Sequence, residues 1–400
     1  MEITTTTSTN SMSKVIGGGL IIAGTSIGAG MLSIPLMSAG LGFGVSVLLL
    51  FGFWALMTYT SMLMLEVHQH ADSSATLHTL STKFLGNPGK VAATIATFML
   101  LYALCAAYVA GGGSNMATRL DQLTGIQIPA WMSSLIFVTI VAALVAAGTA
   151  VVDKVNRVLF GAMMLAMAGV LVFLSPNISG TLLAASPKGW GLFFAALPVI
   201  FTSFGFHGSI PSIVTYFDGE TKSLRTAMLI GSCIPLVVYL FWLACTLGVV
   251  QQDILMENGE LGAMIAILGE TLGSSNIAVM IGLFADLALV TSFLGVSLGL
   301  FDYLRDTTKD KLKGNRVSVA LVTFLPPLAF ALFYPQGFIM ALGYAAIALV
   351  VIAIFLPVAM TIASRKVHKE AHLYRVKGGP IAMGLATLCG VIIILAQFIA

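Results

Sequence analysis

Charged side chains are scarce in this sequence. Asp, Glu, Lys and Arg together make up 9% of 400 residues, against 58% hydrophobic. A water-facing surface needs about a quarter of its residues charged, so ordinary soluble, disordered and collagen-like classes are excluded. Cysteine is rarer still. Cys105, Cys233, Cys245 and Cys389 stand singly inside apolar stretches with no CxxC pair, which excludes a disulfide scaffold and a cysteine metal site. Residues 1–13 hold no Lys or Arg. A secretory leader needs a basic start, so this Ser/Thr-rich segment is expected to be a disordered tail. The net charge is only +3, and no basic stripe interleaved with aromatics occurs, so nucleic acid is not expected as a partner. HExxH, GxSxG and GxxxxGK[ST] are missing, and the glycines at 24–30 do not follow a strand. No enzyme chemistry, metal or organic cofactor is expected.

What the sequence has in abundance is apolar length. A bilayer core of ~30 Å takes about 20 apolar residues per helix. Runs of that length lie at 15–38, 42–66, 90–113, 130–150, 155–175, 191–216, 226–250, 275–302, 317–335, 337–362 and 380–400. None alternates as a membrane β-strand does, so the expectation is an all-α integral membrane protein with eleven transmembrane helices. Cationic loops mark the cytoplasmic side. Of the nineteen Lys and Arg, only Arg119 and Lys188 fall in segments on the side opposite the N-terminus; Lys309, Lys311, Lys313, Arg316 and Lys369 are among those on the N-terminal side. The N-terminus is therefore expected in the cytoplasm and, with an odd helix count, the C-terminus outside. The loop at 251–274, with Asp253, Glu257, Glu260, Glu270 and no cation, fits the outer face.

Two of these runs are interrupted. The first reads Gly24-Thr25-Ser26-Ile27-Gly28-Ala29-Gly30 and then Pro35; the sixth reads Thr202-Ser203-Phe204-Gly205-Phe206-His207-Gly208 and then Pro211. A helix-interior Gly costs about 1 kcal/mol relative to Ala, and Pro about 3. Such clusters at mid-membrane argue for broken helix, or for close packing of small residues as in GxxxG pairs. The register favours the break: Ser33-Ile34-Pro35 recurs as Ser209-Ile210-Pro211, and the same offset carries Val15 to Gly191, the start of the sixth run. Five helices followed by five, with opposite orientation because five is odd, make an inverted repeat over 14–175 and 191–362, with 380–400 as an added helix. Matched interruptions in two halves point to a midplane binding site. Free N–H groups after one break suit a carboxylate, and the last carbonyls before the breaks suit an ammonium. A ligand carrying both charges is a zwitterion, and free amino acids are the natural candidates.

At this point the residues match a family. Ala23–Leu32 with Pro35, Val199–Ser212, Leu283–Ala288 with Thr291–Gly295, Phe301-Asp302-Tyr303, Thr323–Pro335 and Tyr374–Gly379 resemble the hydroxy/aromatic amino acid permeases of the amino acid–polyamine–organocation superfamily, from about Lys14 to the C-terminus. The resemblance implies the five-plus-five, LeuT-like inverted repeat with unwound helices 1 and 6. It also implies an inner-membrane symporter, with no cofactor beyond the coupling proton, that imports an aromatic amino acid, tyrosine first.

The resemblance places the substrate carboxylate on Gly28, Ala29 and Gly30 and the ammonium on carbonyls of both breaks. The full candidate set is Thr25, Ser26, Gly28, Ala29, Gly30, Tyr102, Ser203, Phe204, Gly205, Phe206 and His207. His207 either touches substrate, takes a coupling proton or bonds a freed carbonyl. Asp286, near mid-bilayer, is either a proton carrier, since desolvation favours its neutral form, or a permanently bonded structural acid. Thr291 and Ser292 match the place where sodium-coupled relatives hold their cation, although a helical Ser or Thr more often bonds its own i−4 carbonyl. Tyr102 and Tyr108 lie on different faces, so at most one meets the ligand. Glu66 and Asp302 are assigned to the membrane interface. A monomer in the lipid bilayer is expected. The rival readings are sodium coupling, preference for tryptophan or phenylalanine, and an amino acid sensor that does not transport.

Overall fold

The computed structural model describes residues 4–257, 259–273, 275–307, 315–368 and 373–399. Lys309, Lys311, Lys313 and Lys369, counted above on the N-terminal face, lie outside them, as do residues 1–3 of the expected tail. The regular elements among the described residues are all helical, with no strand among them.

The chain opens with α1 (Thr4–Ser26), a 3-10 turn (Ala29–Leu32) and α2 (Ser33–Ser38). It continues through α3 (Gly42–His68), α4 (Leu77–Thr124), α5 (Ala130–Ala147), α6 (Thr149–Leu174) and the short α7 (Gly180–Leu183). The second half has α8 (Gly191–Thr202), a 3-10 turn (His207–Ser209), α9 (Ile210–Tyr216), α10 (Thr221–Val249), α11 (Gln252–Glu257) and α12 (Leu261–Thr271). Then come α13 (Ser275–Thr307), α14 (Arg316–Phe333), α15 (Phe338–Val350), a π-turn (Val351–Phe355), α16 (Leu356–Val367) and α17 (Gly379–Ile399).

Ten helical segments among the described residues are long and apolar enough to cross a bilayer. The sequence counts eleven runs. The difference lies in the first, which is divided: its N-terminal part is α1, and its C-terminal part continues past Gly42, at φ +73°, into α3 as one apolar stretch from Ala29 to His68. α1 also runs back to Thr4, into the segment expected to be a disordered tail. Extending a helix already nucleated costs far less than starting one, so a polar stretch can continue the apolar helix behind it. Two further helices, α11 and α12, fill the acidic 251–274 loop. With 11 residues, α12 is too short to span, and an apolar-length criterion passes over it.

Contacts between loops follow the two faces assigned from charge. Lys188 reaches Asp253 at 2.9 Å, and its N–H donates to the Gly40 carbonyl at 2.8 Å. On the other face Lys14 pairs with Asp218 at 3.7 Å, and Thr215 donates to the Ser73 carbonyl. There the Arg365 guanidinium grips the Glu66 carboxylate with two bonds, 2.7 and 2.8 Å, while Glu66 also accepts the Val376 N–H. Arg119, counted among outer-loop cations, instead belongs to α4.

α1 packs along α10, α13 lies between α6 and α4, and α15 packs on α4 and α8. The segments holding the second break and the π-turn are the most enclosed of the spans, with two-thirds of their apolar windows buried, whereas α14 and α17 are mostly exposed. In a bilayer such exposed apolar faces meet lipid. The segment with the second break therefore sits deep in the bundle.

Candidate functional site

The first break falls among its glycines. α1 stops at Ser26; the Ile27 N–H still reaches the Ala23 carbonyl at 2.7 Å, but Gly28 is extended at φ −175°, ψ −154°. That conformation is open to any residue. What glycine supplies at 28 is space, because a Cβ there would collide with the Ser292 hydroxyl from α13. The same hydroxyl accepts the Ala29 N–H at 2.9 Å. Ser292 thus occupies a donor that a ligand anion would otherwise take.

The second break is built differently. After Thr202 the backbone tightens: Ser203, Phe204 and Gly205 bond to carbonyls three residues back, at 3.2, 3.1 and 3.1 Å. Winding resumes at His207, and Pro211 sits in the first turn of α9, where its missing N–H costs nothing.

The two breaks touch. Ser203 Oγ donates to the Gly30 carbonyl at 2.9 Å, which also accepts from Ser33 Oγ at 2.6 Å. A Cβ on Gly30 would stand 3.4 Å from the Ser203 Cα, an ordinary contact distance. Across the junction lies Tyr239 of α10, fully buried. Its hydroxyl is 2.6 Å from the Ser26 carbonyl and 2.7 Å from that of Ser203. Its ring meets Phe204 edge-on, with centroids 5.1 Å apart.

Of the candidates read from sequence, the structure brings Ser26, Gly28, Ala29, Gly30, Ser203, Phe204 and Ser292 together here. Gly205 is pressed between the Thr202 carbonyl and Leu349, and Phe206 is buried beside the His207 ring. His207 is almost wholly buried. Its Nε2 lies 2.9 Å from Thr60 Oγ1, and its Nδ1 has no partner. Ser26 Oγ is likewise buried and unpartnered. Unpaired buried polar atoms are costly, and two of them flank the same junction.

Others lie elsewhere. Thr25 is exposed, its hydroxyl spent on the Ile21 carbonyl at 2.8 Å. Tyr102 turns to α14 and donates to the Val322 carbonyl at 2.9 Å; Tyr108 is the tyrosine of that helix that meets the site, at the Ser292 side chain. Thr291 donates to the Leu287 carbonyl four residues back at 2.7 Å. Asp286 is not at the breaks: six residues before Ser292, it lies roughly 9 Å away along α13. There it accepts from Arg119 Nε at 3.1 Å and from the Asn115 amide, beside a cavity of about 230 Å³ walled by Met116, Phe137 and Leu289.

Sequence reading missed Tyr239 and Arg119. Each carried a usable signal, since a hydroxyl inside an apolar span and a charge close behind one are both functional by default in a membrane. Their partners, however, lie 213, 36 and 167 positions away.

The sequence pattern described as the tryptophan/tyrosine permease family matches residues 11–397. Among similar proteins, tyrosine-specific transport system 1 of Haemophilus influenzae is 43% identical over 96% of each chain. The tryptophan-specific transport protein of Pseudomonas aeruginosa is 34% identical over 97% of this chain and 95% of its own. Glutamine transporter 2 of Aliivibrio fischeri is 32% identical over 96% of this chain and 99% of its own.

Proposed function

The chain belongs to the tryptophan/tyrosine permease family, and from that premise we propose that it imports an aromatic amino acid, L-tyrosine first, across the bacterial inner membrane by proton symport. The observation that carries this reading is the junction of the two breaks. Main-chain donors after Gly28 and main-chain carbonyls at Ser26 and Ser203 converge within one buried site. The substrate carboxylate takes the N–H groups around Gly28, Ala29 and Gly30, where the helix restart adds a favourable dipole. The ammonium takes the carbonyls. Charge on the ligand is thereby met by polar main chain that lipid would never tolerate exposed.

Tyrosine is favoured over tryptophan by the higher identity to a tyrosine-specific system than to a tryptophan-specific one. A glutamine transporter at 32% identity also matches over 96% of this chain, so in this reading the side-chain pocket, and not the breaks, sets the preference. In this reading the eleven apolar runs cross as a five-plus-five inverted repeat plus α17, with the N-terminus cytoplasmic and the C-terminus periplasmic. The two halves rock to expose the junction to each side in turn.

The coupling proton has two candidate carriers. His207 has a buried ring nitrogen with no partner, next to the second break. Asp286 already has Arg119 and Asn115 as partners, so its protonation would have to release a formed ion pair. The geometry favours His207. A sodium ion would need several oxygens facing one point, whereas Thr291 and Ser292 bond in different directions.

The test is uptake of radiolabelled L-tyrosine into proteoliposomes. Accumulation driven by an inside-alkaline gradient without sodium is the expected result. Binding without uptake would turn the reading to a sensor, and dependence on sodium would refute proton coupling.

A further inference from the structure

We propose that Tyr239 is the built-in occupant of the ammonium site: its phenol stands in for the substrate amine in the empty carrier and sets how strongly that amine is selected. The inference rests on the functional reading above, which puts the ammonium on the carbonyls of both breaks.

The chemistry is one of counting donors. A tyrosine hydroxyl has a single hydrogen. Here it lies within bonding distance of two carbonyl oxygens, Ser26 at 2.6 Å and Ser203 at 2.7 Å. It can donate to only one at a time, so the other is left with no donor from Tyr239 in a place closed to water. While the ring stays in this position, enclosed and braced edge-on by Phe204 at 5.1 Å, the shortage persists. Both acceptors belong to the last turns before the breaks, where helical carbonyls lose their intrahelical donors.

An ammonium reverses the shortage. It carries a charge and three N–H donors, enough to satisfy both carbonyls at once. A substrate without an amine offers nothing there and leaves Tyr239 where it was. Tyr239 therefore competes with every amine that binds and is indifferent to an acid that lacks one. It also ties the ends of α1 and the α8 segment together while the site is empty, alongside the Ser203–Gly30 bond.

A purely structural strap makes a different prediction from a competitor, and this can be read as a ratio. In the purified full-length protein, equilibrium displacement of labelled L-tyrosine is measured with unlabelled L-tyrosine and with 3-(4-hydroxyphenyl)propionate, the same molecule without its amine. Tyr239→Phe removes the competing donor, and the preference for the amine-bearing ligand is expected to widen about three- to tenfold. Replacing Tyr239 with p-aminophenylalanine supplies two N–H donors at the same place, and the preference is expected to narrow by a similar factor. Loss of a strap would move both ligands together, so an unchanged ratio in both variants overturns the proposal. If the Phe variant does not fold, narrowing with p-aminophenylalanine supports the proposal and an unchanged ratio overturns it. Failure of the unaltered protein to bind L-tyrosine at all would instead remove the functional reading beneath it.

Discussion

Two polar regions of this bundle, one buried and one partly exposed, solve the same problem in opposite ways. At the junction of the breaks, polarity belongs to the main chain and is held by single hydroxyls: Ser292 on the Ala29 N–H, Ser203 on the Gly30 carbonyl and Tyr239 between two carbonyls. At Asp286, polarity belongs to side chains, and a guanidinium and an amide close on one carboxylate. A neutral hydroxyl contributes about 1 kcal/mol net, and bonds to charged groups roughly 1.5–3. In the proposed reading, the first arrangement is exchanged for a ligand and the second stays. Asp286 is therefore better placed to hold α4 to α13 than to cycle a proton.

The largest test of this contrast is at Gly28. Gly28→Val would drive a side chain into the Ser292 hydroxyl and fill the space a carboxylate must enter. L-Tyrosine affinity is expected to fall beyond about 100-fold, two tenfold steps of 1.4 kcal/mol each, in equilibrium binding to protein that still elutes as a folded species. Near-normal affinity would overturn the carboxylate assignment.

Next in size is the charged cluster. Arg119→Ala leaves Asp286 without its cation and should lower stability by about 2 kcal/mol, read as a drop in the unfolding temperature in detergent. The affinity for L-tyrosine should change little, because the cluster stands apart from the junction. Asp286→Asn separates the two roles open to this residue. Retained gradient-driven uptake is expected if the pair is structural, whereas loss of accumulation with exchange preserved would restore Asp286 as the proton carrier.

How much of this was legible in the sequence depends on how local the cause is. The apolar spans were readable because each meets the bilayer requirement within its own 20 or so residues. The breaks were readable because glycines cluster within a few residues of each other and are followed by prolines at 35 and 211. The bonds that turn two breaks into one site were not, since Tyr239 reaches Ser26 across 213 positions and no local pattern encodes that distance. Arg119 shows the same limit: beyond an apolar run it reads as a loop cation, and only the packing of α4 against α13 gives it Asp286. Tyr102 shows a different kind of limit. Two tyrosines on different faces of one helix leave the sequence no means of choosing, and the one that faces the site is Tyr108.

A smaller effect is expected at Ser292. If its hydroxyl holds the Ala29 N–H only until a carboxylate arrives, Ser292→Ala removes a competitor, and L-tyrosine should bind about two- to fivefold more tightly. Weaker binding in the same titration would mean that Ser292 touches the substrate itself.

The smallest effect belongs to Thr25, which sits next to Ser26 in sequence yet on the opposite side of the contrast. Its hydroxyl is committed to the Ile21 carbonyl within α1 and its side chain is exposed, so Thr25→Ala removes nothing from the junction. Surface changes of this kind usually stay within about 0.5 kcal/mol, and both the KM for uptake and the unfolding temperature should match the unaltered protein. A clear rise in KM would show that α1 turns about its axis during transport and brings residue 25 to the substrate in another state, because no rearrangement confined to the junction could expose it.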